Sequence, residues 1–101
     1  MLKTTKAYTL VILRRTPKRD TPGADATIWE HGRRNFELRR EGTLSIVCPA
    51  VRDQSDLAGV CIFSTDLGKA KELMDADPAI RAGVLAYDAH LIAGFPGDAL
   101  P

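Results

Sequence analysis

The segment Ala7-Tyr8-Thr9-Leu10-Val11-Ile12-Leu13 carries β-branched and apolar residues on both of its alternating faces. That is the pattern of a strand covered on both sides. Leu57-Ala58-Gly59-Val60-Cys61-Ile62-Phe63 repeats it later in the chain, and Leu44 to Cys48 and Leu85 to Ile92 give two further strands. Two helices lie between them. The first is signalled by Thr27-Ile28-Trp29-Glu30, a capping box in which the Thr27 hydroxyl caps one backbone donor and Glu30 reaches back to another. A start with Asp25 as cap is the alternative, and Gly42 stops the helix. The second begins at an Asp66 cap and buries Leu67, Ala70, Leu73 and Met74. It ends at Asp77-Pro78, because proline disfavours helical geometry in the residue before it.

The resulting order, β-α-β-β-α-β, is the ferredoxin-like α+β pattern. Two right-handed crossovers place both helices on one face of a four-stranded antiparallel sheet. The other face has no helices, yet the first and third strands are apolar on that side too. A second copy packed sheet against sheet is the simplest cover, so a homodimer through the open face is expected. Burying a few hundred Å² of apolar sheet at ~25 cal/mol per Å² gives several kcal/mol before association costs.

At 101 residues, with 45% apolar and 27% charged side chains, the composition is that of one ordinary globular domain. Its core is expected over residues 6–93, with a Gly/Pro-rich tail at 94–101. The formal net charge of +1 provides no field for nucleic acid or an anionic membrane. The third strand has Phe63 as its only aromatic, which argues against a stacking surface for RNA. Met1 to Lys6 leads into an apolar run too short to span a bilayer, with no small-residue cleavage site after it, so a cytoplasmic protein is expected. Cys48 and Cys61 have no zinc-ligand spacing and are read as buried thiols. No Gly-rich phosphate loop joins a strand to a helix, and neither a metal nor a cofactor is expected.

On the first helix, Glu30, Arg33, Arg34, Glu37, Arg40 and Glu41 share one solvated arc. Ile28, Trp29, Gly32, Phe36 and Leu38 are expected to fill the opposite side, with His31 and Asn35 near its edge. With these elements placed, the chain resembles the YCII-related (YciI-like) family of small dimeric α+β barrel proteins from about Tyr8 to Ile92. The stretch from His31 to Gly42 is similar to the family's helix that opens with His and closes with Gly. Gly59-Val60-Cys61-Ile62-Phe63 with Lys69-Ala70 resembles its third strand and second-helix start, and Asp77-Pro78-Ala79-Ile80-Arg81-Ala82-Gly83 resembles its Asp-Pro turn. The resemblance implies that His31 and Asp77 are the active-site pair. It also implies a fold shared with muconolactone isomerase-like proteins, and lyase or dehydrochlorinase chemistry of the kind some members carry out. The chain departs from the family in having Cys48-Pro49 where Gly-Pro is usual, and in a longer loop from Arg14 to Ala26.

Independently of any family, an imidazole oriented by a buried carboxylate is a usable proton-transfer pair at neutral pH. Near a helix N-terminus His31 would also feel the positive end of the dipole, while the Asp77 carboxylate would act in the opposite sense and fix the tautomer. Such a pair suits abstraction of a proton next to a carbonyl, or elimination and isomerisation on a small organic molecule. It does not suit a nucleophilic triad, since no Gly-x-Ser-x-Gly elbow is present. The competing account is that His31 packs at the helix edge and Asp77 only caps its turn. Asn35 is expected to orient a substrate oxygen or to pack, Trp29 to wall a pocket or join the core, and Arg14 with Arg15 to bind an anionic group or lie at a solvated edge. Asp88 and His90, two apart on the fourth strand, form a rival pair whose plainer reading is an exposed polar face. A binding module using the same cleft without turnover is the alternative to an enzyme, and a purely structural partner protein is a third account.

Overall fold

The alternating segments form four antiparallel strands, β1 (Lys6–Arg15), β2 (Leu44–Pro49), β3 (Leu57–Phe63) and β4 (Leu85–Gly94), in spatial order β2-β3-β1-β4. Three helices accompany them: α1 (Ala24–Arg40), α2 (Leu67–Asp75) and the short α3 (Pro78–Arg81). The computed structural model describes residues 5–51 and 54–101. Most of the Met1–Lys6 start, and residues 52 and 53 of the connection after Pro49, lie outside the described residues. The architecture is the expected ferredoxin-like α+β fold. β1 is central, paired along its length with β4 from Lys6↔Gly94 to Arg15↔Leu85 and with β3 from Thr9↔Phe63 to Arg14↔Leu57.

The core lies between the sheet and the helices. Val11 and Leu13 of β1 and Cys61 and Phe63 of β3 meet Leu38 of α1, Ala70 and Met74 of α2 and Ala79 of α3, all buried. On the other face, Leu10 and Ile12 of β1, Val60 and Ile62 of β3 and Ile92 of β4 are only half-buried in the single chain. The two-sided apolar pattern read from β1 and β3 therefore corresponds to one filled face and one open face.

One local expectation needs correction, and two gain detail. α1 starts at Ala24, one turn before the capping box, because Gly23 turns the chain into the helix from the left-handed region at φ 87 with no side-chain cap. Thr27 is already inside the helix, and its hydroxyl donates to the Gly23 carbonyl at 3.3 Å. The loop after β1 contains a single 3-10 turn, Pro17–Asp20, capped by Thr16. Asp77-Pro78 does end the second helix, but Pro78 also opens α3, where a residue without an N–H is tolerated at the first helical position.

Other signals act as the residues dictate. Asp66 caps α2, its Oδ1 accepting from the Lys69 amide at 2.8 Å. Gly42, at φ 83, closes α1: its amide donates to the Arg39 carbonyl and the Thr43 amide to that of Leu38, satisfying the last turn.

Candidate functional site

The residues of α1 that turn toward the sheet are Ala24, Ile28, His31, Asn35 and Leu38, spaced 4-3-4-3 as one helical stripe. His31 and Asn35 are thus at the centre of the buried stripe rather than at its edge. Trp29 and Phe36, expected inside, are each 65% exposed. The buried arc is narrower than the apolar residues alone suggest, and two polar side chains occupy its middle. Buried polar groups are retained where they have partners, and both have them.

Asp77 supplies the first. It lies two residues past the end of α2 and caps α3, its Oδ2 accepting from the amides of Ala79 at 2.9 Å and Ile80 at 3.4 Å. The same carboxylate, fully buried, stands 2.9 Å from His31 Nδ1 through both oxygens. Arg34 Nη1 approaches Oδ1 at 3.4 Å. Burial raises the Asp77 pKa and is the largest single effect. The hydrogen bond and charge of the His31 ring, with the two amides, outweigh it and hold the carboxyl below its usual range. An ionised carboxylate only accepts, so Nδ1 carries the proton in this contact. In the neutral ring Nε2 then holds the lone pair, and Asn35 Nδ2 donates to it at 3.2 Å.

Two parts of this arrangement differ from the sequence reading. With α1 beginning at Ala24, His31 sits two turns in, beyond the first turn where the helix dipole acts. Asp77 rather than the dipole sets its environment. Arg34, assigned to the solvated arc, instead reaches into the site with 21% of its side chain exposed. Its signal was its position: Arg34 and Asn35 are the i+3 and i+4 neighbours of His31, the pair a helix brings beside it.

A cleft of about 410 Å³ opens between α1 and the sheet, lined by His31, Asn35, Gly32 and Phe36 from α1 and by Leu13, Val47, Ala58 and Cys61 among the strand residues. Asp77 does not line it. Nδ1 is committed to the carboxylate behind, which leaves Nε2 as the ring nitrogen for the cleft. Gly59 allows the end of β2 to lie against β3 here, since a Cβ would stand 2.7 Å from the Cys48 carbonyl oxygen. Burial pushes the Cys61 thiol up to about 12, with smaller contributions from Cys48 and Asp77. Burial thus disfavours the thiolate, the reactive form, at neutral pH.

Of the remaining candidates, Arg15 reaches the cleft, and Arg14, Trp29, Asp88 and His90 do not line it. Arg14 is on the open sheet face, bound to Asp56 at 3.2 Å and Asp88 at 3.3 Å. Its neighbour Arg15 lines the cleft, as strand alternation requires. Trp29 does not line it. Asp88 and His90 share the open face of β4, the edge strand, beside Ile12 and Leu10 of β1. Among the described residues no three His, Cys, Asp or Glu side chains are gathered to hold a metal ion, and no helix is long and apolar enough to cross a membrane.

No family model matches the chain, and no curated protein matches it significantly in sequence. Among solved structures it is similar to the 5-chloro-2-hydroxyhydroquinone dehydrochlorinase of Burkholderia phenoliruptrix, in complex with 2,5-dihydroxybenzoquinone. The TM-score is 0.59 at 14% identity, over 82% of this chain and 90% of the other. At that identity the likeness shows a common fold.

Proposed function

We propose that this chain is a small enzyme of the YCII-related type that moves a proton on a small organic molecule, in lyase- or isomerase-type chemistry. The observation that carries this reading is that His31 lines the cleft while its Nδ1 is held by a buried carboxylate, which leaves Nε2 for a substrate. In this scheme Nε2 takes a proton from a carbon next to a carbonyl, and Asp77 stabilises the imidazolium that forms. The same nitrogen then returns the proton elsewhere on the substrate, or the electron pair expels a leaving group. Asn35, already beside Nε2, orients a substrate oxygen. Proton transfer of this kind requires no cofactor. The shared fold with a dehydrochlorinase that binds a dihydroxyquinone supports a small cyclic substrate.

The same account includes a homodimer through the open sheet face, supported by the half-buried Leu10, Ile12, Val60, Ile62 and Ile92. Light scattering should then give about twice the 11.0 kDa chain mass.

One observation favours a second reading, a module that binds a metabolite without turnover: Nε2 already accepts from Asn35. The two readings separate in His31→Gln. Proton exchange into deuterated solvent can be followed by NMR for a panel of small cyclic ketones and hydroxyquinones. An enzyme accelerates exchange for at least one of them, and the variant loses about 10²-fold or more of that rate while keeping affinity. A binder accelerates none, and loses affinity or nothing.

A further inference from the structure

We infer that the ligand of this cleft is a monocyclic organic anion, a carboxylate or enolate, whose charge is met by Arg15 and Arg19; this rests on the reading of the cleft as a small-molecule site. The whole chain is almost balanced, with 14 Lys and Arg against 13 Asp and Glu. The cleft is not. Arg15, Arg19 and Arg39 line it, and among the described residues no Asp or Glu does. Asp77 is shut behind the imidazole, with its charge already met by His31, Arg34 and two amides. Among the described residues, the charged side chains that line the cleft are therefore all positive.

The arginines are also placed to use it. Arg15 ends β1 and Arg19 lies in the 3-10 turn four residues on. Backbone bonds fix this segment: the Arg15 amide to the Asp56 carbonyl at 2.6 Å, the Thr16 amide to that of Val84 at 3.2 Å and the Arg19 amide to that of Thr16 at 3.0 Å. Arg19 binds Asp25 at 2.8 Å, but that carboxylate is 93% exposed. Such a surface pair is weak in water, so a carboxylate held inside the cleft competes with it. Arg15 gives one of its hydrogen bonds to the Ser55 carbonyl, and its planar fork matches the geometry of a carboxylate. The contact between Arg19 and Asp25 places these arginines at the end of the cleft near the start of α1. Arg39 is eight residues beyond His31, about 12 Å along the helix. Between the two ends, Leu13, Ile28, Val47, Ala58 and Leu85 form an apolar wall, and 410 Å³ suits one substituted ring. An anion anchored at Arg15 and Arg19 rests its ring on this wall beside His31.

The test titrates the full chain with salicylate and with its neutral isostere salicylamide, following the amide resonances of His31, Gly32 and Asn35. Salicylate is expected to shift them saturably and at least about tenfold more tightly than the amide, the scale of a charge-assisted hydrogen bond. That preference should collapse in Arg15→Gln/Arg19→Gln, whose spectrum also reports whether it is folded. It should likewise shrink in the wild type between about 50 and 500 mM salt. Equal affinity for the two probes, or a preference indifferent to both salt and the double variant, overturns the anion inference and leaves the cleft a ligand site. No shift at these amides from either probe overturns it too, while the proton-exchange assay decides separately whether the cleft is catalytic.

Discussion

His31 Nδ1 and the Asp77 carboxylate lie 2.9 Å apart across 46 positions of chain, both sealed from water on the side where they meet. Asp77 performs two tasks with the same oxygens. It caps α3 through the amides of Ala79 and Ile80, and it fixes the ring of His31. Stability and site geometry are therefore coupled through one side chain.

Asp77→Ala is expected to cost about 3 kcal/mol, because it leaves His31, Arg34 and the cap amides without their buried acceptor. Denaturant unfolding measures this directly. A loss below ~1 kcal/mol would mean that water replaces the carboxylate, and that the site is more open than its burial implies.

Acid stability follows from the same residue. Folding holds the Asp77 carboxyl below its ordinary range, so as pH falls through that range the unfolded chain binds a proton that the folded chain refuses. The stabilisation is complete above the ordinary carboxylate value and is lost as pH drops through the lowered one. Thermal melts of wild type and Asp77→Asn should therefore converge toward acid. Parallel curves would contradict the assignment.

Gly32→Ala should act in opposite directions on stability and binding. Nothing lies within 4 Å of a Cβ at this position, so replacing a helix-interior glycine should add about 0.5–1 kcal/mol and raise the melting temperature by several degrees. The added methyl projects from α1 at a residue that lines the cleft, and salicylate binding should weaken. A lower melting temperature would show that the helix needs glycine for a packing reason.

The thiols should react in order. Cys61 is buried, with its thiol pushed up to about 12, while Cys48 is half-buried. Since the thiolate is the reactive form, a colorimetric thiol reagent at neutral pH is expected to modify Cys48 and to reach Cys61 only on unfolding. Rapid modification of both in the native protein would contradict the packing of β3.

Much of the fold was legible because the strands carry their pattern locally. β3 is bounded by the residues that the apolar run indicates, and Asp66 and Gly42 mark their helix ends by chemistry that needs no tertiary context. The start of α1 was not legible. Glycine at a left-handed cap leaves a weaker signal than a Thr-x-x-Glu box, and here the box lies within the helix. Trp29 and Phe36 were misplaced for a related reason: hydrophobicity predicts burial only on average, and the sheet-facing stripe passes through His31 and Asn35 instead. The meeting of His31 with Asp77 follows from topology, since α3 packs against α1. The positions of Arg34 and Arg15 depend on which way long side chains turn at the margins of a face, which spacing narrows but does not decide.

The most direct test of the account is the tautomer of His31, read from long-range proton–nitrogen correlations of its ring, with His90→Gln to assign the signals. When the ring is neutral, the proton is expected on Nδ1, facing Asp77, with the lone pair on Nε2 toward the cleft. In Asp77→Asn that preference should be lost. A neutral His31 with its proton on Nε2 in the wild type would contradict the account, because the nitrogen at the cleft would then have no lone pair with which to accept a proton.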